Sequence, residues 1–497
     1  VTLSKLKEGA GEAKLPLKLP GRGLYHLTLN AASGEAKASA ETWVAVVFTP
    51  GKPDPESPWG IFYAPHVWFD GKNPEGPRIA AEQHRLLGAS WSRLNWWAGS
   101  FGKITLTADD VSGDWRLWKE YARELRREGI SILGEIAQCP RELSSRPDET
   151  EQVGDAGPVY NRVKPKEYAQ WNRLMEKLAA DFREEIQVWE IWNEANLENR
   201  YWTGTPEDFF ELVKQTSQAL RRGNPKARIA AAGFVHGHAF ADKLFGMGMG
   251  QYLDILTVHY TDENPGDIAR WQELLKKHNL SLPIWNSEER SEVPLNNLAG
   301  PIERSFKFIH VAIGYPDYRP LVRKDWTVLP AGILYSVGVH CIGTAKPAGR
   351  SDKVPGCDVT LFRRGDEVVG AFRPLGFTTL SGGGPTALLA VEPLSAKEKP
   401  TVTDVWGRSR PLAVRDGRAE LPLAGTLFFV NGCRTLEVLG AAPAPAGAAS
   451  VFEAETGRKS AGWGANSKEG FSGGRILEIW SDADPGPEGY WVEVKLN

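Results

Sequence analysis

Two short segments of the chain place glutamates directly after an apolar run, where paired carboxylates can carry out acid–base chemistry. Their sequences are WEIWNEAN at residues 189–196 and PIWNSEER at residues 283–290. Cleavage of a glycosidic bond needs two such groups, because one must protonate the departing oxygen while the other attacks the anomeric carbon or activates water there. This chemistry requires neither a metal nor an organic cofactor. The two segments therefore indicate a carbohydrate-cleaving site without a cofactor.

Glu194 and Glu288 are the carboxylates that the predicted fold brings to one place. Glu194 directly follows a predicted strand and Glu288 ends another, and they lie 94 residues apart along the chain (194 to 288). One strand–helix repeat of a (β/α)8 barrel takes about 31 residues, so this interval corresponds to about three repeats. The C-terminal ends of the barrel strands form the catalytic face. Glu289 is the less favoured partner, because neighbouring side chains on a strand point in opposite directions.

Apolar runs that alternate with amphipathic stretches predict the parallel strands and covering helices of such a barrel. Strands are predicted at residues 60–66, 89–95, 131–136, 187–193, 228–233, 254–259 and 283–288. Helices are predicted at residues 114–128, 166–182 and 205–223, the last with Thr205 as its N-cap. The segment 314–325 gives no clear eighth strand, and residues 330–345 predict the closing helix.

Changes in composition divide the chain into four segments, as expected for a chain longer than one core can support. The predicted fold class is α/β: a (β/α)8 TIM barrel with one or more accessory all-β sandwich domains. The predicted segments are an N-terminal β segment at 1–50, the catalytic barrel at 58–345, a β-sandwich at 356–440, and the start of a further β-rich module at 451–497.

The overall composition restricts the classes of partner. The net charge is −3, with 24% charged and 41% hydrophobic residues, which does not indicate nucleic acid binding. No run approaches the roughly 18 apolar residues of a membrane helix, so no membrane partner is expected. The four cysteines are widely spaced and form no metal motif, although one disulfide is left open. We expect a carbohydrate substrate and an extracellular or periplasmic location; the oligomeric state is left open.

At these two motifs the sequence resembles the clan A glycoside hydrolases, in which Trp-Asn-Glu ends strand four and Ser/Thr-Glu ends strand seven. The resemblance covers roughly residues 58–345 and is nearest in look to family 39, which includes β-xylosidases, α-iduronidases and exopolysaccharide hydrolases. It implies a retaining enzyme that works by double displacement, with Glu194 as acid/base and Glu288 as nucleophile. Residues 451–497 also resemble the start of a carbohydrate-binding module.

The same resemblance implies roles for four further residues at predicted strand ends. Arg93 is similar to the clan's arginine beside the nucleophile, where a cation keeps a carboxylate ionised. Asn193 matches the asparagine that hydrogen-bonds the sugar 2-hydroxyl. His259 and Tyr260 are similar to the histidine and aromatic pair that orients the nucleophile.

Several other residues are candidates for substrate contact. Trp96, Trp97 and Trp285 are flat apolar rings of the kind that stack on sugars, although most tryptophans serve core packing. His236 and His238 suggest a metal pair, but no third ligand is evident, so we expect no metal to bind. The two histidines either contact substrate, for which His236 is the candidate, or only form part of the loop structure.

Two alternative functions remain open from the sequence. The chain could be a non-catalytic carbohydrate-binding protein on the same barrel, in which case the glutamates would be dispensable. It could also be an inverting hydrolase. The carboxyl separation decides between the mechanisms, being about 5–5.5 Å in retaining and about 6.5–9.5 Å in inverting enzymes.

Overall fold

The computed structural model of this 497-residue chain describes most of its length. The described residues are 18–33, 36–64, 74–96, 104–107, 110–153, 157–197, 199–309, 319–323, 326–375, 385–396, 399–423, 426–442, 458–459, 463–467, 475–479 and 492–493.

The chain enters the described structure through a long β-hairpin. Strands β1 (Gly23–Ser33) and β2 (Ala36–Val46) pair antiparallel, with Gly23 opposite Val46. The predicted N-terminal β segment thus contains two paired strands. At the base of the hairpin, the Arg22 guanidinium donates to the carbonyl oxygen of Gly407, 3.5 Å away. The N-terminal segment thus contacts the later β-domain.

Eight parallel strands close into the barrel. They are β3 (Trp59–Tyr63), β4 (Trp91–Trp96), β7 (Ser131–Ile136), β8 (Val188–Ile191), β9 (Arg228–Phe234), β10 (Ile255–His259), β11 (Ile284–Glu289) and β12 (Ile302–Phe308). Each strand pairs with the next, and β12 pairs with β3 to complete the ring. A small antiparallel pair, β5 (Thr105–Leu106) with β6 (Val111–Ser112), follows β4. The predicted (β/α)8 architecture is confirmed.

Helices cover the outside of the barrel between the strands. Their bounds are α1 (Gly76–Leu87), α2 (Arg116–Arg127), α3 (Tyr168–Asp181), α4 (Pro206–Gly223), α5 (His238–Gly246), α6 (Pro265–Lys277), α7 (Leu295–Ala299) and α8 (Pro330–Ile342). The Thr205 hydroxyl accepts from the backbone N–H of Asp208 as the N-cap of α4, as predicted. Helix α8 is the closing helix that residues 330–345 predict.

The eighth strand lies at Ile302–Phe308. It precedes residues 314–325, where the sequence predicts no clear strand. Its sequence, IERSFKF, mixes charged residues into the apolar run and therefore lacks a strand signature. The structure buries two of the three charged residues: Arg304 lies over the rings of Trp91 and Trp285, and Lys307 is 2% exposed. Pairing with the neighbouring strands and stacking on tryptophan rings thus stabilise polar residues in this strand. From their hydrophobicity alone, these residues would be predicted to form a loop.

The barrel interior is filled by large side chains. One cluster takes one member from each strand, together with Ala64: Phe62, Trp91, Leu133, Val188, Ala230, Ile255, Trp285 and Phe306. Phe306 occupies the space beside Gly60, where an added Cβ would lie 2.5 Å from the phenylalanine ring. Because this layer leaves the interior packed, a functional site must form above it, at the C-terminal ends of the strands.

A nine-stranded antiparallel sheet forms the accessory β-sandwich domain. Its strands are β13 (Lys346–Ser351), β14 (Cys357–Arg364), β15 (Glu367–Pro374), β16 (Thr386–Pro393), β17 (Thr401–Thr403), β18 (Ser409–Pro411), β19 (Val414–Arg415), β20 (Arg418–Pro422) and β21 (Phe428–Ala442). This domain has its own apolar core. Its Arg373 reaches the barrel, with Nη1 3.5 Å from the buried carboxylate of Asp262.

The C-terminal segment contributes four short strands to the described residues. They are β22 (Arg458–Lys459), β23 (Trp463–Ser467), β24 (Arg475–Ile479) and β25 (Val492–Glu493). Most of the predicted module at 451–497 lies outside the described residues, so its likeness to a carbohydrate-binding module stays a prediction.

The four cysteines are all buried free thiols, so the disulfide that the sequence left open is not formed. Within the described part of the chain, no helix combines the length and apolar character that a membrane crossing requires.

Replacing Phe306 by alanine should lower the free energy of unfolding by about 3–5 kcal/mol, because it removes a buried ring from a close-packed layer. Denaturant titration measures this loss. Leu375→Ala is the control, since Leu375 is 56% exposed, and it should change the free energy by less than about 0.5 kcal/mol. A Phe306→Ala loss no larger than the control's would contradict the role of β12 in closing the core.

Candidate active site

The C-terminal strand ends bring seven ionisable side chains into one buried cluster. Arg93 comes from β4, Glu135 from β7, Glu190 from β8, Glu194 from the turn after β8, His259 and Tyr260 from the end of β10, and Glu288 from β11. Six of them are at most 6% exposed, and Tyr260 is partly buried. The fold therefore brings distant strand ends together at one site, as predicted.

A strained turn presents Glu194 to this cluster. Trp192 and Glu194 have φ of 72° and 48°, in the left-handed region that non-glycine residues rarely adopt. The turn is held by backbone bonds: Trp192 N–H donates to Ile136 O and Glu194 N–H to Ala232 O, each at 2.8 Å. Such conformations cost about 1–3 kcal/mol each and persist where surrounding structure fixes them, often at functional sites.

His259 links the two candidate catalytic glutamates. Its Nδ1 lies 2.9 Å from Glu194 Oε1 and 3.6 Å from Glu288 Oε2. Gly233 leaves the room for this ring, because a Cβ at that position would lie 2.4 Å from His259 Nε2. Gly233 also has a φ of +58°, so any larger residue there would be strained as well.

The hydrogen-bond network fixes the proton on the far side of the His259 ring. Glu190 Oε2 accepts from Arg93 Nε at 2.5 Å, and its Oε1 lies 2.7 Å from the Ser287 hydroxyl. An ionised carboxylate only accepts, so Ser287 donates to Glu190 and accepts from His259 Nε2 at 3.1 Å. Nε2 therefore carries a hydrogen, and Nδ1 shares a proton with Glu194.

Glu288 is surrounded by donors that favour its ionised form. Oε1 accepts from Arg93 Nη1 at 2.6 Å, and Oε2 accepts from the Tyr260 hydroxyl at 2.7 Å. The Tyr260 backbone N–H also donates to the Glu288 carbonyl oxygen at 2.9 Å, which ties the end of β10 to β11.

Glu289 lies in a separate network and does not face Glu194. Its carboxylate accepts from three backbone N–H groups and from two amide side chains: Asp262, Arg290 and Ser291 by their backbone, and Asn286 and Asn297 by their side chains. The register between β11 and β12 is irregular from Asn286 to Glu289. Burial, followed by the charge of Asp262, raises the pKa of Glu289 to about 7. The geometry therefore agrees with the preference for Glu288.

The surroundings move the pKa values of the two facing glutamates in opposite directions. Burial raises the pKa of Glu194, and the nearby charge of Glu288 adds to it, although His259 opposes both. Burial also acts to raise the pKa of Glu288, but His259, Arg93 and the Tyr260 hydroxyl outweigh it and bring this pKa below its ordinary value. A protonated acid beside an ionised carboxylate is the arrangement that assigns acid and base roles.

The separation of the two carboxyl groups is short. One ligand-type atom each of Glu194, His259 and Glu288 lies within 4.8 Å of the other two. A carboxylate oxygen of Glu194 and one of Glu288 thus lie within 4.8 Å of each other, which favours the separation of about 5–5.5 Å in retaining enzymes over about 6.5–9.5 Å in inverting ones.

These same three residues are the described group that could hold a metal ion. In this structure the same atoms already form hydrogen bonds within the protein. Arg93 and Tyr260 donate to Glu288, and His259 Nδ1 pairs with Glu194. A guanidinium 2.6 Å from one carboxylate oxygen supplies the positive charge that a metal would bring.

Asn193 is placed to offer a donor above Arg93. Its side-chain oxygen accepts from Arg93 Nη2 at 3.0 Å. Because guanidinium groups only donate, the Asn193 amide nitrogen must point away from Arg93 and is available to a ligand hydroxyl.

Glu135 and Glu190 are the site residues that the sequence analysis missed. Both are fully buried and both contact Arg93, Glu135 with Oε1 3.0 Å from Nη2. Glu190 lies inside the WEIWNEAN motif and Glu135 lies next to the end of a predicted strand. A carboxylate within a buried strand requires a partner cation, and the signal in the sequence was Arg93, a cation near the end of the neighbouring predicted strand.

Trp285 is not a substrate contact, and this prediction is wrong. Its indole is fully buried in the barrel layer, 5.1 Å from the ring of Trp91, and donates to Glu303. Strand alternation explains the difference, because Trp285 and Ser287 both point into the barrel, with Trp285 one layer below the site.

His236 lies on the loop after β9 at the same end of the barrel and is half exposed, with Nδ1 3.2 Å from Asp267. Asp267 is buried and also lies 3.3 Å from His238, so it is a shared partner for both histidines. The role of His236 in substrate contact stays a prediction.

The side chain of Trp96 and all of Trp97 lie outside the described residues, so their predicted stacking on sugars is untested.

Part of this chain matches a known protein family. The sequence profile described as Glycosyl hydrolases family 39 matches residues 138–275, which include Glu194 and His259. A curated β-xylosidase from Caldicellulosiruptor saccharolyticus is 34% identical over 76 residues, which make up 14% of this chain and 16% of that protein.

Similar solved structures share the fold at low identity. A family 39 glycoside hydrolase from Bacteroides cellulosilyticus has a TM-score of 0.60 and 17% identity, covering 82% of this chain and 88% of that chain. A family 39 β-xylosidase from Caulobacter crescentus has a TM-score of 0.55 and 15% identity, covering 78% and 97%. A family 30 endoxylanase from Clostridium papyrosolvens has a TM-score of 0.54 and 13% identity, covering 77% and 98%. The resemblance to clan A, nearest to family 39, is confirmed.

Replacing Tyr260 by phenylalanine should raise the pKa of Glu288 by about one unit, because a hydrogen bond to a charged group contributes about 1.5–3 kcal/mol and one unit corresponds to 1.36 kcal/mol. Loss of the donor destabilises the ionised form, so the pKa moves up. NMR titration of 13C-labelled glutamate, assigned with Glu288→Gln, measures it. Tyr25→Phe in the hairpin is the control. An unchanged Glu288 pKa in Tyr260→Phe would contradict the described contact.

Proposed function

We propose that this chain is a retaining glycoside hydrolase that cleaves a glycosidic bond by double displacement, with Glu194 as acid/base and Glu288 as nucleophile. The observation that carries the proposal is the facing pair itself. Two buried carboxyl groups approach within 4.8 Å at the catalytic end of a barrel, and their environments shift their pKa values apart. The family 39 match over residues 138–275 supports the same assignment.

In the first step, the proton of Glu194 moves to the glycosidic oxygen while a Glu288 oxygen attacks the anomeric carbon. The bond to the leaving group breaks, and a glycosyl ester to Glu288 forms. Tyr260 and Arg93 hold the Glu288 carboxylate in place for this attack, since each donates to a different oxygen of it. His259 holds the Glu194 carboxyl at 2.9 Å and thereby orients the acid.

In the second step, the Glu194 carboxylate takes a proton from water, and the water oxygen attacks the anomeric carbon of the ester. The bond to Glu288 breaks and the nucleophile returns as a carboxylate beside Arg93. Glu194 then carries the proton again. Two inversions give net retention, and no group outside the cluster has to supply or remove a proton.

We also propose that the substrate is an oligo- or polysaccharide of the β-xylosidase type. Support comes from the curated β-xylosidase that this chain resembles over 76 residues and from the β-xylosidase among the similar structures. The location outside the cytoplasm stays a prediction from the sequence.

The two alternatives account less well for the site. A protein that only binds sugars has no need for two facing carboxyl groups with opposed pKa shifts, since buried charges are costly to retain. An inverting enzyme needs room for a water between the base and the sugar, and the short approach of Glu194 to Glu288 does not provide it.

Replacing Glu194 by alanine should reduce kcat about 10²–10⁴-fold on glycosides with poor leaving groups, because proton donation to the leaving oxygen is lost. Activated aryl glycosides should lose much less in the first step, and azide should restore turnover by attacking the glycosyl ester. Steady-state kinetics with and without azide measure this.

Glu303→Ala is the matched control. Glu303 is half exposed and accepts a hydrogen bond from Trp285, so the apolar layer of the barrel interior lies between Glu303 and the site. It should keep wild-type kinetics on both substrate types. Equal losses on both leaving groups in Glu194→Ala, without azide rescue, would contradict the acid/base assignment.

A further inference from the structure

The Arg93 guanidinium is shared by three buried carboxyl groups. Nε lies 2.5 Å from Glu190 Oε2, Nη1 2.6 Å from Glu288 Oε1, and Nη2 3.0 Å from Glu135 Oε1. The side chains of Arg93, Glu135 and Glu190 are fully buried, and that of Glu288 is 8% exposed. These charges therefore interact with little screening by water.

The charges of this cluster do not balance if all three acids are ionised. Arg93 supplies one positive charge against three negative ones, and the Phe62 ring covers its carbon at 4.7 Å. Among the described side chains in contact with these acids, His259 is the remaining group that can carry a positive charge, 3.6 Å from Glu288. It does not contact Glu135 or Glu190 directly. Because uncompensated buried charge is strongly unfavourable, at least one of the acids must hold a proton.

The hydrogen bonds distinguish the three acids. Glu288 accepts from Arg93 and Tyr260, and Glu190 accepts from Arg93 and Ser287, so each has a donor on both oxygens. Glu135 contacts the Asn95 amide through Oε2 only. Its Oε1 is buried without a hydrogen bond despite the nearby guanidinium, because Arg93 Nη2 is directed at Asn193 instead.

From this arrangement we propose that Glu135 is a neutral, protonated acid that positions Arg93 without taking a share of its charge. The positive charge of Arg93 is then balanced by the carboxylates of Glu190 and Glu288. Glu135 is thus a positioning residue that helps to keep Glu288 ionised; naming Glu288 as the nucleophile rests on the proposed function, whereas the protonation of Glu135 does not.

Two further observations agree with this protonation state. Asn95 Oδ1 is also buried without a partner. A half-turn of the Asn95 amide would bring that oxygen against Glu135, where it could accept the acid hydrogen, and amide orientation follows from such networks. Burial raises the pKa of Glu135 well above its ordinary value; Arg93 opposes this shift, whereas Glu190 and Glu288 add to it.

Infrared spectroscopy tests the protonation without any enzyme assay. The wild-type protein at neutral pH should show a carboxylic acid C=O stretching band that is absent from Glu135→Gln and present in Glu190→Gln. This pair is matched, since both glutamates are fully buried and both contact Arg93. A wild-type minus Glu135→Gln difference spectrum that shows only carboxylate bands would overturn the proposal. So would a Glu135→Gln chain that does not fold, because a neutral amide replaces a neutral acid.

The pH dependence of kcat/KM tests the consequence for Glu288. Glu190→Gln removes a competing anion from Arg93, so the pKa of Glu288 should fall and the acidic limb should move down by about one pH unit. Glu135→Gln removes no charge and should leave that limb in place, whatever its effect on kcat. Equal shifts in both variants would overturn the neutrality of Glu135. Lack of glycosidase activity in the wild type would contradict the proposed function and leave the infrared result standing.

Discussion

The site depends on one fully buried guanidinium. Arg93 contacts Glu135, Glu190 and Glu288 and the side-chain oxygen of Asn193, so four strand ends are fixed relative to one another by a single planar group. The contacts with Glu190, Glu288 and Asn193 each use a separate N–H direction of a rigid fork, which is the geometry that lysine cannot reproduce. The acid on the opposite side, Glu194, pairs with His259 instead. The difference between the two glutamates therefore follows from the position of the Arg93 guanidinium beside Glu288.

The barrel makes this placement possible because its interior is filled. The aromatic and aliphatic layer that includes Trp91, Trp285 and Phe306 supports the strands from below, and the charged cluster lies above it at their C-terminal ends.

The site also departs from regular strand geometry at three places. Trp192, Glu194 and Tyr260 adopt left-handed backbone conformations, and the register of β11 becomes irregular after Asn286. These departures turn Glu194 and Glu288 toward one another, which strict alternation along two separate strands would not achieve.

Much of the fold could be predicted because apolar strand runs repeat at barrel spacing, and Glu194 and Glu288 could be predicted because each ends such a run. The eighth strand could not, because Glu303, Arg304 and Lys307 break its apolar pattern and are accommodated only by tertiary contacts. Glu135 and Glu190 were missed for the same reason, since a single carboxylate in a strand acquires meaning only when Arg93 is seen beside it. Trp285 was assigned to substrate because residue type does not reveal which layer of the barrel a ring occupies.

Covalent trapping tests the central claim most directly. An activated 2-deoxy-2-fluoro glycoside slows the hydrolysis of a glycosyl ester, so mass spectrometry of peptides from the inactivated protein identifies the attacking residue. The site predicts one sugar per chain, attached to Glu288. Attachment to Glu289, or turnover of substrates without any trapped ester, would contradict the assignment of Glu288 as the nucleophile that Arg93 and Tyr260 hold ionised.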